Sequence, residues 1–189
     1  MKIHLYKYHG TGNDFILIDN RSGNFNTTNY KLIETLCHRR FGIGADGLIL
    51  LENTDKADFF MRFYNSDGKP ASMCGNGGRC IVAFSKYLGI IKNATSFMAP
   101  DGLHSAQISE NTVALKMKDV SQIELIGKDF YMNTGSPHYV RIIESHHNFD
   151  TVSEGRKIRY NARFQKEGTN VNFLSFEEER LQLSTYERG

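Results

Sequence analysis

Apolar and polar residues alternate in short runs along most of this chain, and Gly, Asn and Asp turns separate the runs. Residues 2–8 (KIHLYKY) and 15–20 (FILIDN) read as strands flanking His9-Gly10-Thr11-Gly12-Asn13-Asp14. Two segments break the alternation. In 29–40 (NYKLIETLCHRR), Leu32, Ile33, Leu36 and Cys37 fall at helical spacing, with Thr27 and Thr28 as candidate caps and Gly42 where a stop is expected. From Gly77 to Leu88 a second helix places Ile81, Phe84 and Leu88 on one face, with Gly89 as its stop. Between the helices, GLILLE and DFFMRFYN read as strands; TSFMA, HSAQIS and VALKMKD follow, the last two joined at Ser109-Glu110-Asn111. The pattern restarts after Val120 with QIELI, DFYMN, HYVRII, KIRYNARF, NVNFLSF and RLQLSTY. Residues 145–155 (SHHNFDTVSEG) carry neither period strongly and predict a loop with a short helix. The expected fold class is α+β with mostly antiparallel sheet, one domain over 1–118 and a second over 119–189.

Composition narrows the functional classes. The chain has 189 residues, enough to bury a core without disulfide staples. Lys+Arg number 23 against 21 Asp+Glu, without charge blocks, which argues against a nucleic-acid tail. No apolar run reaches the roughly 18 residues of a membrane span, and the N-terminal residues do not form a signal-peptide core. Three cysteines (Cys37, Cys74, Cys80) match no disulfide framework, and a reduced, cytoplasmic protein is expected. No metal is expected either. Cys74 and Cys80 lack zinc spacing, Cys37 reads as a core residue, and His146 and His147 read as solvated loop residues.

Gly42-Ile43-Gly44-Ala45-Asp46-Gly47 matches G-x-G-x-x-G literally, but a dinucleotide site needs a strand before it and a helix after it. Here a helix precedes and a strand follows, so the segment reads as a structural turn. Residues 63–80 (FYNSDGKPASMCGNGGRC) are more informative. A strand ends in a polar turn, then Cys74 precedes a Gly-rich run that opens a helix. The free N–H groups and dipole of a helix N-terminus favour a thiolate, and the same N–H groups, uncovered at Gly75, Gly77 and Gly78, can hold a carboxylate. Composition alone leaves two readings open: an activated sulfur beside an anion pocket, or a structural cysteine beside a glycine turn. Cys80 reads as structural.

These residues carry a resemblance. HGTGNDF, GIGADG, NSDGKPASMCGNGGRC, GSPH, NVNF and YERG, in that order, resemble the diaminopimelate epimerase family. The resemblance implies two similar domains of mostly antiparallel sheet, each wrapped around a central helix. It implies epimerisation of LL-diaminopimelate to the meso form with no cofactor, by two thiols acting as base and acid. Cys74 would be one of them, with His138 and Glu187 as further catalytic residues, Glu187 also serving as a contact for the distal ammonium group. Asn13, Asn65, Gly75, Asn76, Ser136, Asn170, Glu187 and Arg188 match substrate-binding positions. Ser136 stands where the family often has Asn, and Gly47 where some members have Gln, so the Gln contact is not carried over. The partners implied are a small-molecule substrate and a second copy of the chain, with no nucleic acid and no membrane, in lysine and peptidoglycan precursor synthesis. In the family the second cysteine lies in an Ala-Cys-Gly-Thr-Gly run shortly after Glu-Arg-Gly, and this sequence stops at Gly189. The expectation is therefore an incomplete second domain and no turnover by these 189 residues, unless another chain completes them. The competing readings are another amino-acid racemase of the same fold, of proline or histidine type, and a non-catalytic scaffold.

Overall fold

The computed structural model describes residues 3–110, 112–177 and 179–187. Strands β1 (Tyr6–Gly10) and β2 (Asn13–Asp19) form a hairpin, and helix α1 (Tyr30–Cys37) follows. Next come β3 (Gly47–Glu52), β4 (Phe59–Asn65), the two-residue β5 (Pro70–Ala71) and helix α2 (Gly75–Tyr87). Strands β6 (Ala94–Ala99), β7 (Gly102–Ser109) and β8 (Thr112–Leu115) complete the first of two compact units, Met1–Met117. Its sheet runs β1-β2-β3-β4-β6-β7-β8, with β5 added to β4. Most pairings are antiparallel; β2 with β3 and β4 with β6 are parallel.

The runs FILI in β2 and LILL in β3 are buried on both faces, as unbroken apolar runs require. Phe15, Leu17, Ile49 and Leu51 pack with Ile81, Val82 and Phe84 of α2, whereas Ile16, Ile18, Leu48 and Leu50 pack with Ile33 and Cys37 of α1. Alternate residues of the same strands thus serve two cores. Helix α2 packs against β1, β2, β3, β7 and β8, so the sheet curls around it.

The second unit, Lys118–Gly189, holds β9 (Ile123–Ile126), β10 (Asp129–Asn133), β11 (Pro137–Ile142), α3 (Thr151–Arg159), β12 (Asn170–Glu177) and β13 (Arg180–Tyr186). Its order is β13-β12-β11-β10-β9, with only the β11–β12 pairing parallel among the described strands. Helix α3 packs on β12 and β13, over a core of Tyr139, Ile158, Phe164, Val171 and Phe173.

Four details differ from the sequence expectation. The strand expected at 157–164 does not form: Lys157–Arg159 end α3, and turns follow. Asp150 caps α3 by accepting from the Ser153 N–H at 3.0 Å, and Arg156, Lys157 and Arg159 sit in its last turn, where the helix dipole favours cations. Alternation of Ile158 and Tyr160 mimicked a strand. Asn29, not Thr27 or Thr28, caps α1, accepting from the Leu32 N–H at 3.1 Å. Helix α2 starts two residues earlier than its apolar spacing shows, because its first turn is Gly and Asn. Finally, His146 is half-buried, bonded to Ser175 Oγ at 2.9 Å and Ser184 Oγ at 3.1 Å, rather than solvated.

Candidate active site

Strand β4 ends at Asn65, opposite Gly47 at the start of β3, and Gly47 lies opposite Phe15 near the start of β2. The N-terminus of α2 meets this same end of the sheet. Cys74 is the N-cap of α2, in extended conformation, half-buried, with no side-chain capping hydrogen bond. The sulfur is therefore not spent on the helix. The Gly78 N–H bonds the Cys74 carbonyl at 2.7 Å, which leaves the N–H groups of Gly75, Asn76 and Gly77 as the unpaired first-turn donors of the helix.

The β1–β2 turn brings Asn13 to this point. Thr11 (φ 54°) and Gly12 (φ 89°) take left-handed conformations there. Gly10 comes so close to α2 that a Cβ would lie 3.2 Å from the Asn76 carbonyl oxygen. Asn13 Oδ1 lies 3.8 Å from Cys74 Sγ and accepts from Asn76 Nδ2 at 3.3 Å. Asn76 Oδ1 accepts from Arg79 and from Thr11 Oγ1, which orients its amide. Cys74, Gly75, Asn76 and Asn13 are thus brought together. Asn65 is exposed at the same sheet end, its backbone closing the turn to Lys69. A Cβ at Gly47 would stand 2.6 Å from the Tyr64 carbonyl oxygen and 2.5 Å from the Phe63 ring, so this chain has no room for a Gln there.

Sequence reasoning missed the charged groups beneath. Asn13 Nδ2 donates to Asp46 Oδ2 at 2.8 Å; Arg39 reaches Asp46 and Asp14, each at 2.7 Å; Lys7 pairs with Asp14 at 2.8 Å. The Arg39 hydrogen bonds hold the Asp14 carboxyl well below the usual carboxylate range. The signal was present in HGTGNDF and GIGADG, but Asp14 and Asp46 lie 32 positions apart and no spacing rule joins them.

The other two cysteines differ sharply from Cys74. Cys37 and Cys80 are buried, and desolvation pushes each thiol up to about 11. Iodoacetamide at pH 7.5 is expected to label Cys74 at least roughly tenfold faster than either of them. Peptide mass spectrometry against time reads this out, and equal slow labelling of all three would favour the scaffold.

In the second unit the structure gathers Ser136, His138 and Asn170. His138 lies opposite Asn170 in the parallel β11–β12 register. Ser136 Oγ is 3.1 Å from His138 Nε2 and 3.4 Å from Asn170 Nδ2. Asn172, which sequence reasoning passed over, shares a strand face with Asn170. Its Oδ1 accepts from Thr185 Oγ1 at 3.0 Å, and its Nδ2 donates to the Tyr139 carbonyl at 3.0 Å and faces His138 Nδ1 at 3.1 Å. This network makes Nδ1 an acceptor and puts the proton on Nε2, toward Ser136. Burial lowers the His138 pKa, against the opposing charge of exposed Glu187, which follows β13. Arg188 lies outside the described residues.

The His138 shift has a defined sign. A depressed folded pKa means that the unfolded chain binds the proton first, so this stabilisation is complete above the ordinary value of 6.5. It is lost as pH falls from there through the lower folded value. Urea midpoints of His138→Gln are expected to fall less than those of the parent on acidification through that window.

The mixed sheets wrapped on few helices define the class. The fold is shared with a phenazine biosynthesis protein from Bacillus anthracis (TM-score 0.67, 13% identity, 98% of this chain and 71% of that one). It is also shared with a probable proline racemase from Agrobacterium radiobacter (TM-score 0.67, 15% identity, 97% and 70%). Within that class the chain belongs to the diaminopimelate epimerase family, whose model matches residues 5–123. The diaminopimelate epimerase of Flavobacterium psychrophilum is 54% identical over 187 residues, covering 98% of this chain and 73% of that protein. That of Aquifex aeolicus is 36% identical over 206 residues, covering 97% and 73%.

Proposed function

We propose that this protein epimerises LL-diaminopimelate to the meso form without a cofactor, with Cys74 as one of the two proton-transfer groups. The observation that carries the reading is the placement of Cys74 as an uncommitted N-cap beside three free helix N–H groups and the Asn13–Asn76 amide pair. An amino-acid α-proton is weakly acidic, so a base alone is insufficient. Charge moves onto the α-carboxylate as the C–H bond breaks, and donors already aimed at that carboxylate stabilise it. The N–H groups of Gly75, Asn76 and Gly77 are suited to this, with the dipole of the 13-residue α2 behind them. Inversion requires proton return to the opposite face from a second acid. Buried Cys37 and Cys80 are unsuited to that task.

His138, Ser136 and Asn170 are proposed to contact substrate polar groups, the neutral imidazole donating through Nε2. Glu187 is the candidate partner for the distal ammonium, with Asn65 and Arg188 as further contacts. A homodimer in the cytoplasm is part of the same reading. Among the described residues no helix is long and apolar enough to cross a membrane.

A substrate panel tests the reaction: LL-diaminopimelate, L-proline and L-histidine in heavy water, followed by chiral chromatography and mass spectrometry. Where a second thiol completes the site opposite Cys74, conversion of LL- to meso-diaminopimelate with α-deuterium uptake is expected. Racemisation of proline or histidine with diaminopimelate untouched would overturn the substrate assignment.

A further inference from the structure

The Gly-x-Gly-x-x-Gly segment is a turn, yet Asp46 within it is fixed from four sides. Its Oδ2 accepts from Asn13 Nδ2 at 2.8 Å and from the Asp14 N–H at 3.1 Å; its Oδ1 accepts from Arg39 at 2.7 Å. Its own N–H donates to the Asp14 carbonyl at 2.9 Å. We propose that Asp46, clamped by Arg39, is a positioning residue that sets the orientation of the Asn13 amide and so presents Asn13 Oδ1 to the Cys74 sulfur. The inference deepens the functional reading above, since it rests on Cys74 being the reacting thiol.

An asparagine amide can rotate by 180°, exchanging its oxygen and its NH2 group. In the rotated form Asn13 Oδ1 would face the Asp46 carboxylate, acceptor against acceptor. Its NH2 group would face Asn76 Nδ2, donor against donor. Asp46 therefore selects one state at the far end of the amide, and Asn76, itself oriented by Arg79, selects the same state at the near end. What reaches the sulfur is an oxygen, which accepts from the S–H and ties the thiol to Asn13; an N–H in its place would instead donate to the sulfur. The chain of contacts from Arg39 through Asp46 to Asn13 thus aims the S–H along one direction. Arg39 also clamps Asp14, whose backbone N–H binds Asp46, so the chain of contacts is closed on itself.

A double-mutant cycle read by Cys74 alkylation at fixed pH tests this, using iodoacetamide and peptide mass spectrometry. Asn13→Ala is expected to speed Cys74 labelling by roughly 3- to 10-fold, and Asp46→Ala to move it in the same direction. In the Asn13→Ala background, Asp46→Ala is expected to add nothing. Cys80 labelling serves as the structural control and should not change, since neither Asp46 nor Arg39 acts on it. If Asp46→Ala does not fold, Arg39→Ala removes the clamp from a side chain that is 59% exposed, with the same non-additivity expected. Additive effects, or acceleration of Cys80 together with Cys74, would overturn the proposal. Deuterium exchange on LL-diaminopimelate is a separate arm. Its absence where a second thiol completes the site defeats the functional reading, while the labelling cycle still decides whether Asp46 acts through Asn13.

Discussion

In a protein whose site is completed by the second thiol, Cys74→Ala is expected to lower α-deuterium uptake by LL-diaminopimelate by roughly 10³-fold while leaving the fold intact. The size follows from what is removed. A positioned acid or base contributes roughly 10²–10⁴ in rate, and here no side chain stands ready to replace it. Asn13, whose amide oxygen lies 3.8 Å from the sulfur, does not titrate, and neither does its partner Asn76. The fold should survive because Cys74 makes no capping bond and is only half-buried, so truncation empties little core. Cys74→Ser is a sharper form of the experiment. A hydroxyl can keep the hydrogen bond to Asn13 Oδ1, but its pKa lies far above that of a thiol, and exchange should be lost nearly as completely. Cys80→Ala supplies the contrast. It cuts a cavity into the core beside Ile81 and Val82, so the melting temperature should fall, with exchange per folded molecule retained. Exchange that persists in Cys74→Ala would remove Cys74 from the mechanism.

How much of this was readable in the sequence differs from element to element, for physical reasons. Strands β3, β4 and β10 announced themselves through dense apolar and aromatic runs bounded by turn residues. The start of α2 carried no apolar period, because its first four residues are Gly, Asn, Gly and Gly; their value lies in uncovered N–H groups, not in packing. Helix α3 is polar on most of its surface, so its two buried positions, Gly155 and Ile158, gave too little periodicity to outweigh the strand-like spacing that follows. At the site, Cys74 and Asn76 were legible because one short motif holds both. Asp46, Arg39 and Asn172 were not. Their roles arise from register and from a loop folding back on a helix, and neither pairing is written at any fixed spacing along the chain.

That loop is the subject of the largest stability effect expected. Gly42→Ala should destabilise the first unit by about 3 kcal/mol or more, lowering its melting temperature by roughly 10 °C. A Cβ at position 42 would lie 2.0 Å from the Thr35 carbonyl oxygen and 2.7 Å from that of Leu36. Both atoms are backbone of α1, so no flexible side chain can yield. The approach is close because the loop satisfies the end of the helix. The N–H groups of Ile43 and Gly44 donate to the Leu36 carbonyl at 2.9 and 3.0 Å, and the Ala45 N–H donates to that of Cys37 at 3.0 Å. Lifting the loop by the ångström or more that a methyl demands would break those bonds, leave helix carbonyls unpaired, and draw Asp46 away from Asn13. Gly89→Ala is the control. Gly89 has a left-handed φ of 72°, but nothing lies within 4 Å of its Cβ position, so only the backbone penalty of roughly 1–2 kcal/mol applies. Calorimetry on both variants, with Cys74 labelling alongside, separates the two costs. Gly42→Ala should shift both readings and Gly89→Ala only the first, since α2's C-terminal stop lies at the opposite end of the helix from the thiol. Equal melting temperatures for the two variants would show that the 38–46 loop can rise without loss, and would sink the account of it as the buttress beneath Asp46.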